Sequence, residues 1–309
     1  MSEFETVDTS CARRDDVVVL TLTQQPRPAI TTDVLDAIER ALDVAMQEGS
    51  GLVIASRAGH FAFGANIDDG MLAASHGDTV PLERTLHRYQ LTMLRLRHSP
   101  VPTVAAVRGV AISGGCEVLM HCTHVVLHPR SVVGLAEAGV GVVPGGGGLK
   151  ELALRAAGGG DIEGAFDLVA TTRLARSAVE TTELGWLDRA NVTIADHPFT
   201  EACRIGATLR ASHRAPLPNP RLRVAGPATA RRLIEKQRRA HDAGTISAHQ
   251  LVVDSALAYV LTGGNAPGDE RTEVEMLALE REAFLPLATS VGTQQRFAHL
   301  RATGELLKN

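Results

Sequence analysis

Two glutamates stand out for the company they keep. Glu117 and Glu137 lie 137 − 117 = 20 positions apart in the stretch 101–152, VPTVAAVRGVAISGGCEVLMHCTHVVLHPRSVVGLAEAGVGVVPGGGGLKEL, which is otherwise mostly glycine, alanine and branched aliphatic residues. An ionised carboxylate is expensive in apolar surroundings unless something compensates it, so acids kept there suit proton transfer. Two carboxylates flanking one water can hold and activate it while a proton reaches the neighbouring carbon. The structural alternative for each is a buried carboxylate that caps a helix or pairs with an arginine such as Arg108.

Local patterns say what must position these acids. Residues 101–110 have the composition of a strand entering a buried layer, Ser113-Gly114-Gly115 forms a turn, and 116–120 reads as the first turn of a buried helix. A helix beginning at glycines points backbone N–H groups and its positive dipole end at whatever lies in front. The Gly114 amide is therefore half of a candidate oxyanion hole. An earlier turn, 59–66 (GHFAFGAN), follows the strand-like run 51–56 and offers the Ala65 amide as the other half. Losing one of two such preorganised donors typically costs about 3 kcal/mol of barrier.

FGANI, then AISGGCE, then LAEAGVGVVPGGGG resembles the three-part signature of the crotonase (enoyl-CoA hydratase/isomerase) superfamily. The resemblance implies Ala65 and Gly114 as the oxyanion hole and Glu117 and Glu137 as the catalytic pair. It also implies a substrate pocket drawing on Phe63, Gly64, Asn66, Ile67, Gly115, Pro144 and Gly145. GAN in place of the commoner GAD, PGGGGLKELALRA, and the late stretch LAYVLTGGNAPGDERTEVEMLALEREAFLPL resemble the C-terminal hydratase region of bacterial 3-hydroxyacyl-CoA dehydrogenase/enoyl-CoA hydratase fusions. The implied fold is α/β: a spiral of ββα units over 1–195, then a helical region over 196–309 that serves oligomerisation and part of the ligand tunnel.

The implied activity is hydration of a trans-2-enoyl-CoA in fatty-acid β-oxidation or a related acyl-CoA pathway. Glu117 would hold and activate water and Glu137 would protonate the α-carbon, with exchanged or shared roles left open because close carboxylates titrate as a pair. No cofactor or metal is required, CoA being part of the substrate. A homotrimer or dimer of trimers is implied, with a 3-hydroxyacyl-CoA dehydrogenase as a possible partner. The rivals are another crotonase reaction, such as double-bond isomerisation or C–C hydrolysis, and a non-catalytic module that binds through the basic stretch 228–241. Three departures bear on this reading. Thr123 stands where the family often has Asp, Ser113 replaces the first glycine of a usual triplet, and Asp68 and Asp69 stand where a basic residue often meets the CoA phosphates. Contacts to CoA then fall to other positions, such as Arg27, Arg57 or the basic stretch.

Composition narrows the class. The chain has 309 residues, 44% of them hydrophobic, enough for a large core. A formal net charge of −4 disfavours nonspecific nucleic-acid binding. MSEFETVDTS does not read as a signal peptide, and Arg108 and Glu137 interrupt the apolar stretches before they reach membrane-spanning length, which together suggest a cytoplasmic protein with no membrane insertion. Cys11, Cys116, Cys122 and Cys203 suit reduced core thiols. Cys122, His124 and His128 form a poor metal set, because a strand-like VVL separates the histidines. PGGGGLKEL is no phosphate loop, since Gly148 is followed by Leu149, Lys150 and Glu151; it reads instead as the tight approach to a helix over 149–156, whose N-terminus the resemblance places near the thioester.

Along the chain, 16–23 reads as a strand, 32–47 as a helix, 82–97 as a helix and 199–213 as another. Between them, 68–80 has little periodicity and reads either as a mobile loop, which the resemblance implies would close over the acyl chain, or as an ordinary surface loop. The Pro-rich 215–227 reads as a linker or extended arm, and 245–261 and 272–286 complete a helical tail.

Overall fold

The computed structural model describes residues 2–265 and 270–309, so 266–269 of the late fusion-like stretch lie outside the described residues. In chain order the elements are β1 (Ser2–Glu5), β2 (Thr9–Arg14), β3 (Val17–Leu22), α1 (Thr32–Glu48), β4 (Gly51–Ser56), α2 (Asp68–Ser75), α3 (Val80–Arg97), β5 (Thr103–Val107), β6 (Val110–Ile112) and α4 (Gly114–His121). There follow β7 (His124–Leu127), β8 (Val132–Gly134), a 3-10 turn (Glu137–Val140), α5 (Gly148–Ala157), α6 (Ile162–Ala170), α7 (Ala178–Glu183), β9 (Val192–Ile194) and α8 (Pro198–Leu209). The chain ends with β10 (Arg221–Arg223), α9 (Gly226–Asp242), α10 (Ala248–Leu261), β11 (Glu270–Thr272), α11 (Glu273–Thr289) and α12 (Val291–Thr303). Contacts divide it into two units that interleave in sequence: Met1–Asn66, Leu91–Gly134 and Leu174–Pro218 form the first, and Ile67–Gln90, Leu135–Arg173 and Asn219–Asn309 the second.

The first unit is built on a sheet in the order β1-β2-β3-β4-β5-β7-β9. Its first two pairings are antiparallel and the rest parallel, with Val17 opposite Gly51 and Leu22 opposite Ser56 where β3 meets β4. Val17, Val19, Val53, Ala55, Val104, Ala106 and Val126 bury one face against Ala202 and Ile205 of α8. Strands covered on both faces read as unbroken Val, Leu and Ala runs, which is why VVVLTL, GLVIAS and TVAAV carry so little polarity. A small parallel sheet pairs β6 with β8, and an isolated bridge adds Ala62 beside Ala111. The expected spiral is visible in this repetition: a strand of the large sheet, a short pairing in the small one, then a helix.

The second unit is mainly helical. The basic stretch forms α9, whose Leu233 and Gln237 are buried while Arg231, Arg232, Lys236, Arg238 and Arg239 are exposed. A capping box starts α11, with Thr272 N donating to Glu275 Oε2 at 2.7 Å and Glu275 N donating to Thr272 Oγ1 at 3.3 Å. The region expected to be helical beyond 196 serves both units, α8 in the first and α9 to α12 in the second.

One expectation is corrected: 68–80 is not a loop. Residues Asp68–Ser75 form α2, because Met71 and Ala74 are buried and Asp68 and Asp69 sit in the first turn, where the helix dipole favours negative charge. Eight residues carry too few turns for a periodic signal, so the helix owes its existence to burial. No helix among the described residues is long and apolar enough to cross a membrane.

Asp254 of α10 is buried and accepts from Gln250 Nε2 at 2.8 Å. Burial pushes its carboxyl from 3.8 up to about 6, with the Gln250 hydrogen bond and the Arg296 charge only partly opposing the shift. The folded state therefore holds this proton more tightly than the unfolded chain does. The resulting loss of stability is absent below pH 3.8, grows as the pH rises to about 6, and is complete above that. Asp254→Asn is expected to raise the unfolding free energy by about 2 kcal/mol at pH 8 and by almost nothing at pH 4, as read by urea titration at each pH.

Candidate active site

The first turn of the site leaves β4 and runs beside residues 28–30. Phe63 N donates to Pro28 O at 2.8 Å, Ile30 N to Gly64 O at 2.8 Å, and Asn66 N to Ile30 O at 2.9 Å. Because the groups on either side of Ala65 are the ones that bond Ile30, the alternation of a parallel pairing turns the Ala65 N–H away from it. Phe63 is wedged between His60, edge-on with centroids 4.9 Å apart, and the Arg27 guanidinium, 4.9 Å from the ring centroid.

The second turn leaves β6. Ser113 N donates to Gly134 O at 2.9 Å, and Glu117 N donates to Ser113 O at 2.9 Å, the first rung of the α4 ladder. The amides of Gly114, Gly115 and Cys116 therefore precede the helix's own bonding. The helix starts two residues earlier than its pattern suggests, so Gly114 opens it and Glu117 sits in its first turn. All eight residues of α4 are buried, Glu117 with 2% exposure.

Backbone bonds clamp the two turns together. Ala62 N donates to Val110 O at 3.1 Å and Ile112 N to Ala62 O at 3.1 Å, while Phe61 N reaches Val110 O at 2.8 Å. The approach is close enough that a Cβ on Gly115 would lie 2.7 Å from Ala62 O and 2.9 Å from Ala62 Cβ. Within the first unit the structure thus brings together Phe63, Gly64, Ala65, Asn66, Gly114, Gly115 and Glu117. Arg108, the suggested structural partner of a glutamate, instead donates to Asp196 O at 2.8 Å.

The other candidates, Ile67, Glu137, Pro144 and Gly145, belong to the second unit. Glu137 opens the 3-10 turn and is 9% exposed. Gln90 Nε2 donates to Gly145 O at 2.8 Å and to Leu277 O at 3.1 Å, and Arg281 bonds the Gln90 side-chain oxygen. The N-terminus of α5 is capped by Glu280 of α11, whose carboxylate accepts from Gly147 N at 2.7 Å and Lys150 N at 2.9 Å. Lys150, fully buried, pairs with Glu151 and with Glu273 Oε1 at 3.1 Å. Gln90 and Glu280 were missed as supports of the glycine-rich loop. A trace of Glu280 existed, since it interrupts the buried stripe of Met276, Leu277, Phe284 and Leu287 at a position one face of a helix should fill with an apolar residue.

Elsewhere, His124 Nε2 lies 2.9 Å from Thr193 Oγ1, and burial, acting first, lowers its pKa. Burial pushes the Cys122 thiol up to about 12, which disfavours the reactive thiolate. On α9, Arg232 meets Glu163 at 2.7 Å and Lys236 meets Asp167 at 2.6 Å, while Glu235 lies 3.9 Å from Arg238 and 3.5 Å from Arg239, so this face carries both signs.

A mostly parallel sheet wound into ββα repeats, with two amide-bearing turns beside a buried acid, defines a protein class, and the comparisons agree. The profile of a family described as Enoyl-CoA hydratase/isomerase matches residues 12–191, more than half of the chain, and the chain belongs to this family, the crotonases. It is 30% identical over 304 residues to a Bacillus subtilis (strain 168) protein described as a probable 3-hydroxyacyl-CoA dehydrogenase, an alignment covering 96% of this chain and 38% of the relative. A fatty acid oxidation complex subunit alpha of Psychrobacter arcticus is 31% identical over 156 residues, covering 50% of this chain and 20% of that protein. The chain thus spans well under half the length of these relatives. Its α/β fold is shared with an enoyl-CoA hydratase/isomerase from Xanthobacter autotrophicus Py2, at TM-score 0.64 and 18% identity over 97% of this chain and 95% of that one. An enoyl-CoA hydratase from Bacillus halodurans superposes equally, at TM-score 0.64 and 16% identity over 95% of this chain and all 100% of that one.

Ser113 stands at φ 54° and ψ −125°, a conformation that only glycine adopts cheaply. Ser113→Gly is expected to stabilise the protein by about 1 kcal/mol, the relieved strain exceeding the added freedom of the unfolded chain, with thermal unfolding as the measurement.

Proposed function

We propose that the chain is an enoyl-CoA hydratase that adds water across the double bond of a trans-2-enoyl-CoA and yields the 3-hydroxyacyl-CoA. The observation that carries this reading is the clamping of two turns in the first unit, with the Ala65 N–H turned away from Ile30 and Glu117 buried three residues beyond Gly114. A thioester oxygen bonded by the Ala65 and Gly114 amides draws charge from the conjugated double bond. That makes the β-carbon electrophilic and stabilises the negative charge that reaches the oxygen as water adds. Glu117 takes the proton of the attacking water, and Glu137 is assigned delivery of a proton to the α-carbon on the sequence resemblance. The chemistry uses no resident cofactor or metal, CoA arriving with the substrate. Arg27, stacked on Phe63 in the same unit, is a cation suited to the CoA phosphates.

The product is the substrate of a 3-hydroxyacyl-CoA dehydrogenase, the activity named for the Bacillus subtilis relative, which supports a place in fatty-acid oxidation beside such a dehydrogenase. By family resemblance the working form is a homotrimer or a dimer of trimers.

The test is hydration of trans-2-enoyl-CoA substrates of graded chain length, followed by loss of the conjugated chromophore. Glu117→Gln and Glu137→Gln are each expected to lower kcat by at least about 10²-fold, and retention within about tenfold would refute that residue's assignment. Conversion of a 3-enoyl-CoA to its 2-enoyl isomer without hydration would favour isomerisation instead. Gly115→Ala, which sets a methyl against Ala62 O, is expected to lower kcat at least about tenfold by moving one amide relative to the other.

A further inference from the structure

The turn that carries Glu137 is a single 3-10 turn of four residues, Glu137–Val140. Backbone bonds at its ends run from Gly139 N to Ala136 O at 3.1 Å, from Gly141 N to Ala138 O at 3.2 Å and from Val142 N to Glu137 O at 3.2 Å. Such turns have poor hydrogen-bond geometry and rarely persist unaided. Helix α12 adds side-chain bonds to the turn's carbonyls. Arg296 Nη1 donates to Ala138 O at 3.1 Å, and Thr293 Oγ1 donates to Gly141 O at 2.6 Å, so one anchor sits directly after Glu137 and the other at the end of the turn.

Both anchors are themselves fixed. Arg296 is buried, and it also donates from Nη1 to Gln250 Oε1 at 2.8 Å and from Nε to Asn309 Oδ1 at 2.8 Å. Thr293 is fully buried, and its hydroxyl lies 3.0 Å from His249 Nε2. A hydroxyl has one proton, which goes to Gly141 O, so His249 must donate its Nε2–H to Thr293. Burial first, and then the Arg296 charge, lower the His249 pKa, which favours the neutral ring in its Nε2–H form. The packing leaves no slack: a Cβ on Gly141, at φ +93°, would lie 2.7 Å from Thr293 Oγ1, and one on Gly292 would overlap the His249 ring.

We propose that Arg296 and Thr293 are positioning residues for Glu137, holding the carbonyls of its turn so that the carboxylate keeps one setting. The inference rests on the catalytic assignment of Glu137 above. It adds that the reaction depends on a helix more than 150 positions further along the chain, |i−j| being 158 for the Arg296 bond and 152 for that of Thr293. Stability alone would be served as well by apolar packing, whereas a buried guanidinium shared among acceptors on Ala138, Ser247, Gln250 and Asn309 sets position.

A double-mutant cycle in the full chain tests this, read as hydration kinetics with thermal unfolding beside it. Thr293→Val keeps the volume and removes the hydroxyl; Arg296→Lys keeps the charge and removes the fork. Each is expected to lower kcat by about 10- to 100-fold with KM changed less than about threefold, and Thr293→Ser is expected to restore the rate. In a Glu137→Gln background the same substitutions should change the residual rate less than about twofold, because they act through a group already lost. Equal loss in both backgrounds, or loss that follows unfolding temperature and is not restored by serine, would overturn the inference. If Glu137→Gln is impaired while Thr293→Val and Arg296→Lys turn over normally, the positioning role alone falls. If Glu137→Gln turns over normally, the catalytic assignment fails and the positioning role falls with it.

Discussion

The candidate site depends on one backbone arrangement, Ala62 seated between Val110 and Ile112. These bonds use peptide groups and are indifferent to side-chain identity, so they tie two loops of consecutive repeats together with no polar side chain to advertise the contact. What they demand is room. Gly115 must lack a Cβ for the Ala62 carbonyl to fit, and Ser113 is bent into a conformation its own side chain disfavours. The bond from Ser113 N to Gly134 O and the pairing of β6 with β8 hold it there. Strain at this turn is the expected companion of a preorganised donor pair, because amides that need no rearrangement in the transition state must be held rigid beforehand.

The second unit solves a different problem with side chains. Helices α6, α10, α11 and α12 are capped locally by Asp161, Ser247, Thr272 and Ser290. Helix α5 cannot be, since its N-cap is Gly147, and it takes a carboxylate from Glu280 instead, 133 positions later in the case of the Gly147 bond. A buried carboxylate bonded to two helix amides interacts well with the dipole, and the neighbouring Lys150, Glu151 and Glu273 form a buried network whose members compensate one another. Removing one member would strand the charge of another, so this network fixes the glycine-rich loop at the cost of tolerance to substitution.

The apolar and glycine pattern made much of the framework legible. Strands β3, β4 and β5 and helices α1, α3 and α5 lie where composition and periodicity place them, because their burial is repeated along each segment and leaves a trace. Helices α2 and α12 lacked that trace: α2 is eight residues long, and α12 buries Thr293 and Arg296, polar residues that read as surface. Strands β1 and β2 escaped for a related reason, since TSCARR is polar and its burial fades toward Arg14.

For the site, the sequence by itself determined which groups could carry the chemistry: two glutamates in apolar segments and two glycine-bearing turns, all consequences of local composition. Only the tertiary structure decided that the Ala65 and Gly114 turns share a backbone seam, that Glu280 and not a local residue caps α5, and that α12 grips the turn of Glu137. The physical reason is common to all three. A hydrogen bond between groups tens to hundreds of positions apart depends on how the chain is folded, and a polar side chain or a bare peptide group carries no mark of the partner it will find.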